Sequence, residues 1–238
     1  MTLSVVIPTF NEARGIGATL ETVQTYLAKH HRGAELVIAD DGSTDATAEI
    51  VTSAPRVDGV ARQIVRLPVN RGKGAALRLG MAATTGQVTA FFDADLAYPL
   101  DALRDGIEAV STGADLALGA RDLGGERDTR ALYGLPRRLA THAFGSLVDK
   151  LLRLDVSDTQ CGFKVFRGEV ARKLFAELTL DGFAFDVELI WLAKHHGYII
   201  ERFPVAMRRG ERSGVRLVRD SVFMLADIVK LARRRPGL

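Results

Sequence analysis

The sequence predicts an α/β fold in which a mostly parallel sheet is flanked by helices. Short, nearly continuous apolar runs alternate with segments of helical length through the first half of the chain. Strands that are apolar along their whole length are typical of parallel sheets covered on both faces. Polar clusters stand just after these runs, where ligands bind in open α/β sheets. The predicted strands of this half are Leu3 to Ile7, Glu35 to Ala39, Gln63 to Leu67, Val88 to Phe92 and Leu116 to Leu118.

The regular alternation of strands and helices stops after about residue 120, which indicates a different role for the second half. A Gly-rich loop is followed by an amphipathic helix-like stretch, a polar hairpin-like segment, a helix and a last strand. The amphipathic stretch carries basic residues around an apolar face, a pattern that suits either a membrane headgroup region or packing on the core. These four segments are Leu135 to Leu154, Asp155 to Phe166, Ala184 to His195 and Tyr198 to Phe203.

The composition suits one globular domain with a basic tail. The 238 residues are 47% hydrophobic with a formal net charge of +3, and a chain of this length can bury one sizeable core. Arginine and lysine crowd the positions from Arg208 onward, interleaved with apolar residues such as Phe223 and Ile228. This pattern favours an anionic membrane surface over nucleic acid, and a solvated helix packed on the core explains it equally well.

The cysteine content and the first residues predict a cytoplasmic protein. Cys161 is the single cysteine, so no intramolecular disulfide is possible and a reducing compartment is expected. Met1 to Pro8 lacks a basic leading region and is interpreted as the first strand rather than as a targeting peptide. Because no stretch reaches the roughly 20 apolar residues needed to cross a bilayer, contact with the membrane is expected to be peripheral, at its cytoplasmic face.

Polar clusters follow the first two predicted strands. Pro8-Thr9-Phe10-Asn11-Glu12 ends the first strand, and Asn11 can be explained as the N-cap of the next helix. Asp40 and Asp41 end the second strand, and helix capping accounts for the polar residues Ser43 to Asp45 but not for two adjacent anions. Such a pair needs a hydrogen-bond donor, for example the N–H of a nucleotide base, or a cation.

A basic cluster, Asn70-Arg71-Gly72-Lys73-Gly74, precedes the next predicted helix. Its glycines permit close backbone approach, and Arg71 and Lys73 offer positive charge to a phosphate group. The spacing is neither that of a P-loop nor G-x-G-x-x-G. Taken alone, the cluster is explained as well by a basic turn.

The strongest signal is Phe91-Phe92-Asp93-Ala94-Asp95, in which an apolar strand delivers two carboxylates. Residues two apart on an extended chain point to the same side, so Asp93 and Asp95 can bind one divalent ion. Hard oxygen ligands suit Mg²⁺ or Mn²⁺, which take the rest of their shell from water and substrate phosphates. The pattern predicts a metal site that offsets the charge of a departing diphosphate.

Together these clusters resemble the inverting glycosyltransferases of family 2, which have the Rossmann-like GT-A fold. The resemblance continues in later segments, which look like those of the polyprenyl-phosphate sugar synthases and most like the dolichyl-phosphate β-glucosyltransferase branch. The later segments are Gly119 to Arg121, Ser157 to Lys164 and Phe185 to Glu188. The likeness spans nearly the whole chain.

The resemblance implies roles for individual residues. A nucleotide pocket would be lined by Pro8, Phe10, Glu12, Ile38, Asp40 and Asp41, with Arg71, Lys73 and Ala94 beside the diphosphate. Asp93 and Asp95 would hold the metal. The acceptor phosphate would be held by Arg121, Arg137 and Thr141, and the donor would be closed over by Arg208 or Arg209 together with Arg216.

Two departures from the mannosyl synthases argue against GDP-mannose as the donor, and the resemblance alone favours UDP-glucose. Ala97 stands where those synthases have a metal-assisting Gln, and Arg216 replaces a closing Lys. Water or Asp41 is expected to complete the metal shell. A phosphate acceptor, with a second pKa of about 6, needs no catalytic base, and direct displacement inverts the anomeric centre. Asp158 would be the base for an alcohol acceptor, and otherwise it orients Arg121 or caps the hairpin.

The predicted organisation is a catalytic domain over 1–205 and a basic amphipathic segment over 206–238. Within the domain, 1–120 would bind the nucleotide diphosphate sugar and 121–205 the acceptor, a polyprenyl phosphate. The expected partners also include an anionic membrane surface and a membrane protein, but not nucleic acid. The alternatives are a family 2 enzyme with a hydroxyl acceptor, a synthase that uses GDP-mannose or a UDP-N-acetylhexosamine, and a catalytically silent nucleotide-sugar-binding partner.

Overall fold

A computed structural model describes residues 1–123, 151, 152, 154, 156, 158–206 and 227–233. The first half of the fold alternates strands and helices. Its elements are β1 (Leu3–Thr9), α1 (Ile16–His30), β2 (Ala34–Asp40), α2 (Thr47–Ser53), β3 (Val60–Arg66), α3 (Lys73–Ala82), β4 (Val88–Phe92), α4 (Ala102–Ser111) and β5 (Leu116–Ala120). The second half adds β6 (Phe163–Arg167), α5 (Gly168–Glu177), α6 (Phe185–His195) and β7 (Ile200–Pro204).

The described strands form one seven-stranded sheet in the order β3-β2-β1-β4-β6-β5-β7. The pairs β1–β2, β1–β4, β2–β3 and β5–β7 are parallel, whereas β6 runs antiparallel to both β4 and β5. The predicted mostly parallel sheet is therefore confirmed. The carboxyl ends of β1, β2 and β4 meet at one edge, and the loops that follow them build the site described below.

Two apolar layers enclose the sheet because successive residues of a strand point to opposite faces. On one face, Val5 and Ile7 of β1 pack in a cluster with residues of α1, α2 and α4. On the other face, Val6 packs in a cluster with residues of α3, α5 and α6. Burial on both faces explains why the strands read as continuous apolar runs.

The predicted hairpin-like segment from Asp155 to Phe166 is wrong at its end, where the structure has β6 in the middle of the sheet. Lys164 and Arg167 gave this strand a polar appearance. The Lys164 side chain is fully buried nonetheless, in an ion pair with Asp186. The five strands predicted for the first half are confirmed, with ends shifted by a few residues.

The other predicted elements of the second half are only partly described. The helix predicted from Ala184 is α6, and the predicted last strand is β7. Most of the amphipathic stretch from Leu135 to Leu154 lies outside the described residues. Residues 227–233 are helical, and there Ile228 and Leu231 are buried in the second apolar layer. Among the described helices, none combines the length and the apolar character required to span a membrane.

Candidate active site

The loop after β1 and the loop after β2 are joined by hydrogen bonds between side chains and backbone. The backbone N–H of Asn11 donates to Ser43 Oγ at 2.9 Å, and the N–H of Thr44 donates to Asn11 Oδ1 at 2.9 Å. The N–H of Glu12 donates to Thr47 Oγ1 at 2.8 Å. Asn11 adopts a positive φ of 55°, which asparagine tolerates better than most residues. Asn11 is thus a bridge between loops and not the N-cap of α1, which is Gly15.

Asp40 lies beneath this bridge with a fully buried side chain. Its carboxylate accepts hydrogen bonds from the backbone N–H and the hydroxyl of Ser43. Arg66 Nε lies 2.9 Å from Asp40 Oδ2. Ser43 and Arg66 thus supply partners for the Asp40 anion from within the chain. The predicted contact of Asp40 with a nucleotide base stays a prediction.

Asp41 anchors the basic loop that precedes α3. Its Oδ2 accepts from Asn70 Nδ2 at 2.7 Å and from the Gly72 N–H at 2.8 Å, and its Oδ1 accepts from the Arg71 N–H at 2.8 Å. Burial raises the pKa of Asp41, against the opposing effect of these two backbone N–H groups. Both oxygens are therefore engaged by the loop, which leaves the predicted metal contact of Asp41 without support from this geometry.

The start of α3 is docked on the loop before α6. Gly72 has φ 119°, a conformation open mainly to glycine, and a side chain there would overlap the backbone of Asp181. The Gly74 N–H donates to the Asp181 carbonyl at 2.8 Å, and the Asp181 carboxylate pairs with Arg71 and Arg78. Arg71, predicted to meet phosphate, is thus paired within the chain, with about half of its side chain exposed.

The two carboxylates after β4 are held by a tight turn. The Leu96 N–H donates to the Asp93 carbonyl at 3.1 Å, and Leu96 has φ 51°. Thr19 Oγ1 of α1 donates to the Ala94 carbonyl at 2.6 Å, and the Ala97 N–H donates to Asp95 Oδ1 at 3.1 Å. A strained turn that several elements fix is typical of functional sites.

Lys73 brings a positive charge to this turn. Its ammonium lies 2.5 Å from Asp93 Oδ1. Burial lowers the pKa of Lys73, but the Asp93 and Asp186 carboxylates outweigh that effect and raise it. Gly162 lies against the other oxygen of Asp93, where any side chain would overlap the carboxylate. Lys73 and Asp93, two predicted site residues, are therefore in contact.

The carboxylates around the turn carry unbalanced negative charge. Burial and the Asp93 carboxylate raise the pKa of Asp95. Burial, together with Asp95, raises the pKa of Glu12 as well. A divalent cation would offset this repulsion, so the donor set fits Mg²⁺ or Mn²⁺. Within the described part of the chain, no group of three or more His, Cys, Asp or Glu side chains is arranged around a metal position. Two carboxylates are sufficient for Mg²⁺ or Mn²⁺ when substrate phosphates and water supply the other ligands.

Arg121 and Asp158 form a buried ion pair at the end of β5. Asp158 Oδ2 accepts from Arg121 Nε at 2.9 Å and from the Arg121 backbone N–H at 3.0 Å, while Oδ1 accepts from Nη2 at 2.5 Å. Such two-oxygen pairing fixes the plane of a guanidinium. The geometry matches the orienting role, which is one of the three predicted for Asp158.

A second buried pair was missed by sequence reasoning. Lys164 Nζ lies 2.6 Å from Asp186 Oδ1 and donates to the Cys161 carbonyl at 2.7 Å. Lys164 is a β6 residue, and Asp186 stands in the first turn of α6. The available signal was an ionisable residue between apolar neighbours, Phe163 and Val165 around Lys164 and Phe185 and Val187 around Asp186.

The remaining predicted residues are partly outside the described structure. Phe10 is exposed at the end of β1, Pro8 is half-buried, and Ile38 is fully buried in the first apolar layer. Ala94 is buried within the turn. The predicted residues that lie outside the described part of the chain are Arg137, Thr141, Arg208, Arg209 and Arg216.

The fold is that of the GT-A glycosyltransferases. The crystal structure of glucosyl-3-phosphoglycerate synthase from Mycobacterium tuberculosis with Mn²⁺, UDP and glucosyl-3-phosphoglycerate is similar, with a TM-score of 0.67 and 21% identity over 95% of this chain and 79% of that chain. The sequence profile of glycosyl transferase family 2 matches residues 4–175. The chain belongs to this family, and the predicted enzyme class is confirmed.

Two curated relatives are dolichyl-phosphate beta-glucosyltransferases. The protein from Drosophila melanogaster is 34% identical over 205 residues, an alignment that covers 81% of this chain and 63% of the fly protein. The protein from Dictyostelium discoideum is 30% identical over 244 residues, which cover 98% of this chain and 74% of that protein. The matched region thus spans between 63% and 74% of these two relatives.

Proposed function

We propose that this protein transfers glucose from UDP-glucose to a polyprenyl or dolichyl phosphate, with inversion at the anomeric carbon. The observation that carries the proposal is the contact between Lys73 and the two-carboxylate turn, at the sheet edge where open α/β folds bind ligands. The names of the curated relatives support the lipid phosphate acceptor and glucose as the sugar.

Asp93 and Asp95 are the residues that would hold the divalent ion. The ion would neutralise charge on the departing diphosphate. Lys73 lies at the same turn and would add a second positive charge beside the phosphate oxygens. The Mn²⁺ and UDP in the similar crystal structure support this assignment, with Mg²⁺ as the other candidate.

Arg121 is the described residue best suited to hold an acceptor phosphate. Asp158 fixes its guanidinium, and both carboxylate oxygens of Asp158 are engaged in doing so. A carboxylate with both oxygens engaged is poorly placed to remove a proton from an alcohol. A phosphate monoester, with its second pKa of about 6, is already an anionic nucleophile at neutral pH. The pair therefore favours a phosphate acceptor over a hydroxyl acceptor, with Arg137 and Thr141 as its other proposed contacts.

A transfer assay with matched acceptors tests the proposal. The full chain is incubated with radiolabelled UDP-glucose, Mn²⁺ or Mg²⁺, and either a polyprenyl phosphate or the same polyprenol without phosphate. We expect labelled lipid from the phosphate alone, and parallel reactions with GDP-mannose and UDP-N-acetylglucosamine report the donor. Label on the polyprenol would instead identify a hydroxyl acceptor. Absence of lipid product with every donor would defeat the proposal and favour a silent binding partner.

Variants of two aspartates separate metal binding from general effects of charge. Asp93→Ala should lower transfer by about 10²-fold or more, because the departing charge is then poorly neutralised. Asp58→Asn is the matched control, since Asp58 is exposed in an ion pair with Arg32 on the surface. Equal activity of the Asp93→Ala variant and the wild type would show that transfer does not depend on a metal bound by Asp93.

We further propose that the protein works at the cytoplasmic face of a membrane as a peripheral enzyme, together with a membrane protein. The basic, apolar-interleaved sequence from Arg208 onward supports attraction to anionic lipid. Co-sedimentation with vesicles of neutral or mixed anionic phospholipid tests the lipid contact. Binding is expected to require the anionic lipid and to weaken with salt. Equal binding to neutral vesicles, or no binding to either kind, would contradict the proposed electrostatic contact.

A further inference from the structure

Four charges of alternating sign lead from the protein interior to the two-carboxylate turn. Lys164 Nζ lies 2.6 Å from Asp186 Oδ1, and Lys73 Nζ lies 2.5 Å from Asp93 Oδ1. Between the two pairs, the Asp186 carboxylate raises the pKa of Lys73, and the ring centroid of Phe185, the residue before Asp186, lies 5.9 Å from Lys73 Nζ. We refer to Lys164, Asp186, Lys73 and Asp93 as the charge row.

Aromatic rings fix the geometry around the two lysines. Lys73 Nζ lies 5.9 Å from the ring centroid of Phe185, the residue before Asp186, and Lys164 Nζ lies 5.4 Å from the centroid of Phe91. The Phe91 and Phe185 rings are themselves 6.1 Å apart. Ammonium groups over aromatic faces gain further attraction when they are removed from water. The charge row is therefore a packed unit, with both ammonium groups held against apolar walls.

The presence of the buried Lys164–Asp186 pair is not explained by its contribution to stability. The Lys164 side chain is fully buried, and that of Asp186 is 6% exposed. Removing two such charges from water costs about as much as their attraction returns, so an apolar pair of similar volume is commonly as stable. An ion pair that adds little stability but lies directly behind the candidate site indicates a role in that site.

A divalent ion bound to Asp93 would weaken the attraction between Asp93 and Lys73, and Asp186 would compensate for this loss. The ion and the Lys73 ammonium are both positive, and the ion would share the Asp93 carboxylate that Lys73 contacts. Once the ion takes up the charge of Asp93, Lys73 would be repelled from the turn unless a second anion held it. Asp186, paired with Lys164, is a second anion that acts on Lys73: it raises the pKa of that ammonium, and the ring centroid of the neighbouring Phe185 lies 5.9 Å from Lys73 Nζ.

We propose that Asp186 is a positioning residue that, anchored by Lys164, keeps the Lys73 ammonium beside the donor diphosphate when a divalent ion occupies the two-carboxylate turn. This inference rests on the donor part of the proposed function and is independent of the acceptor.

A mutant cycle on the full chain tests the proposal through UDP binding. The variants are Lys73→Met, the double variant Lys164→Met with Asp186→Asn, and the combination of all three. The double variant removes both buried charges together, so that neither is left unpaired. Affinity for UDP with Mn²⁺, measured by calorimetry, should fall about tenfold in Lys73→Met and in the double variant alike, a typical size for the coupling of two charges.

Non-additivity is the decisive result. If Asp186 acts through Lys73, the triple variant binds UDP as weakly as Lys73→Met and no weaker. Glu35→Gln is the control, because Glu35 is a hydrogen-bonded carboxylate near the start of β2, at the opposite edge of the sheet. It should leave the UDP affinity unchanged, and a thermal melt reports the folded fraction of every variant.

Three results would overturn the inference. They are additive losses in the triple variant, an unchanged UDP affinity in the double variant, and a folded wild-type chain that does not bind UDP. A chain that binds UDP and shows the non-additive cycle but glucosylates no lipid would refute the proposed acceptor and leave the positioning role intact.

Discussion

Asp41 in the first half of the sheet and two buried carboxylates in the second half are satisfied in different ways. In the half built on β1 to β4, Asp41 accepts from backbone N–H groups of the loop before α3. In the half built on β5 to β7, Asp158 and Asp186 are each paired with a buried cation. Asp41 thus relies on a loop, whereas Asp158 and Asp186 each rely on one cationic residue.

This difference has consequences for stability and for function. Backbone donors are fixed by the path of the chain, so one lost hydrogen bond leaves most of a loop in place. A buried ion pair depends on one partner, and loss of that partner leaves a charge without solvent or counter-ion. We therefore expect the buried ion pairs of the second half to be more sensitive to single substitutions than the loop held by Asp41.

The largest effect is expected for Lys164→Met. The variant leaves Asp186 buried without its ammonium partner, and breaking a buried pair in this way costs about 3–5 kcal/mol. Urea denaturation followed by circular dichroism gives the free energy of unfolding. Addition of Asp186→Asn to the variant should recover most of the loss, because no charge is then left unpaired. A single variant as stable as the wild type would contradict the distinction between the two halves.

A smaller effect is expected for Asp41→Asn in the first half. The amide presents an NH₂ group where one carboxylate oxygen now accepts, so hydrogen bonds from the Asn70–Gly72 loop are lost. The cost should be about 1–2 kcal/mol, because the ionised Asp41 already bears a burial penalty that raises its pKa. The same denaturation measurement applies. A loss as large as that of Lys164→Met would show that the loop is no more tolerant than a buried pair.

The first half of the fold and its polar clusters were predictable because the relevant signals are local. Apolar runs of strand length end directly in polar residues, and parallel topology then brings Asp40, Asp41, Asp93 and Lys73 to one edge. What the sequence did not reveal was the partner of each group. Asn11 looked like a helix cap, yet it bridges to Thr44, a contact that depends on how two loops meet.

The second half was less predictable because its signals depend on tertiary contacts. Phe163–Arg167 carries two cations and stands in a segment that reads as polar, but the Asp186 carboxylate of α6 makes Lys164 compatible with a central strand. The docking of Asp181 on α3 joins residues about a hundred positions apart and has no local pattern. Motifs of the second half can be recognised by their resemblance to a family, but only the structure shows which of their residues pair.

A pH titration of stability probes Asp181, which joins the two halves. Burial raises the pKa of Asp181, but hydrogen bonds from Arg78 and Arg71 outweigh it and hold it below the usual range. A carboxyl with a lowered folded pKa stabilises the protein above its unfolded pKa of about 3.9, and this contribution is lost as the pH falls through the folded value. Asp181→Asn should cost about 1 kcal/mol near neutral pH, since Arg71 is half exposed.

The free energy of unfolding of the wild type and of Asp181→Asn is measured between about pH 6 and pH 2.5. The wild-type advantage should shrink as the pH falls, so that the two curves converge at the acid end. Curves that stay parallel would mean that the carboxylate of Asp181 contributes through its shape and not through its charge.

The smallest effect is expected where a charge pair lies fully in solvent. Arg32 and Asp58 are within 2.6 Å of each other, but their side chains are 73% and 90% exposed. Water screens such a pair, and ordering two flexible side chains offsets much of the attraction, so Arg32→Ala should change stability by less than about 0.5 kcal/mol. Gly59 packs beside the Arg32 stem, so any larger loss would report lost packing. Arg32→Met keeps most of that stem without the charge: if it is as stable as the wild type, the pair contributes nothing, and the sensitivity of the second half reflects the burial of its charges rather than ion pairing as such.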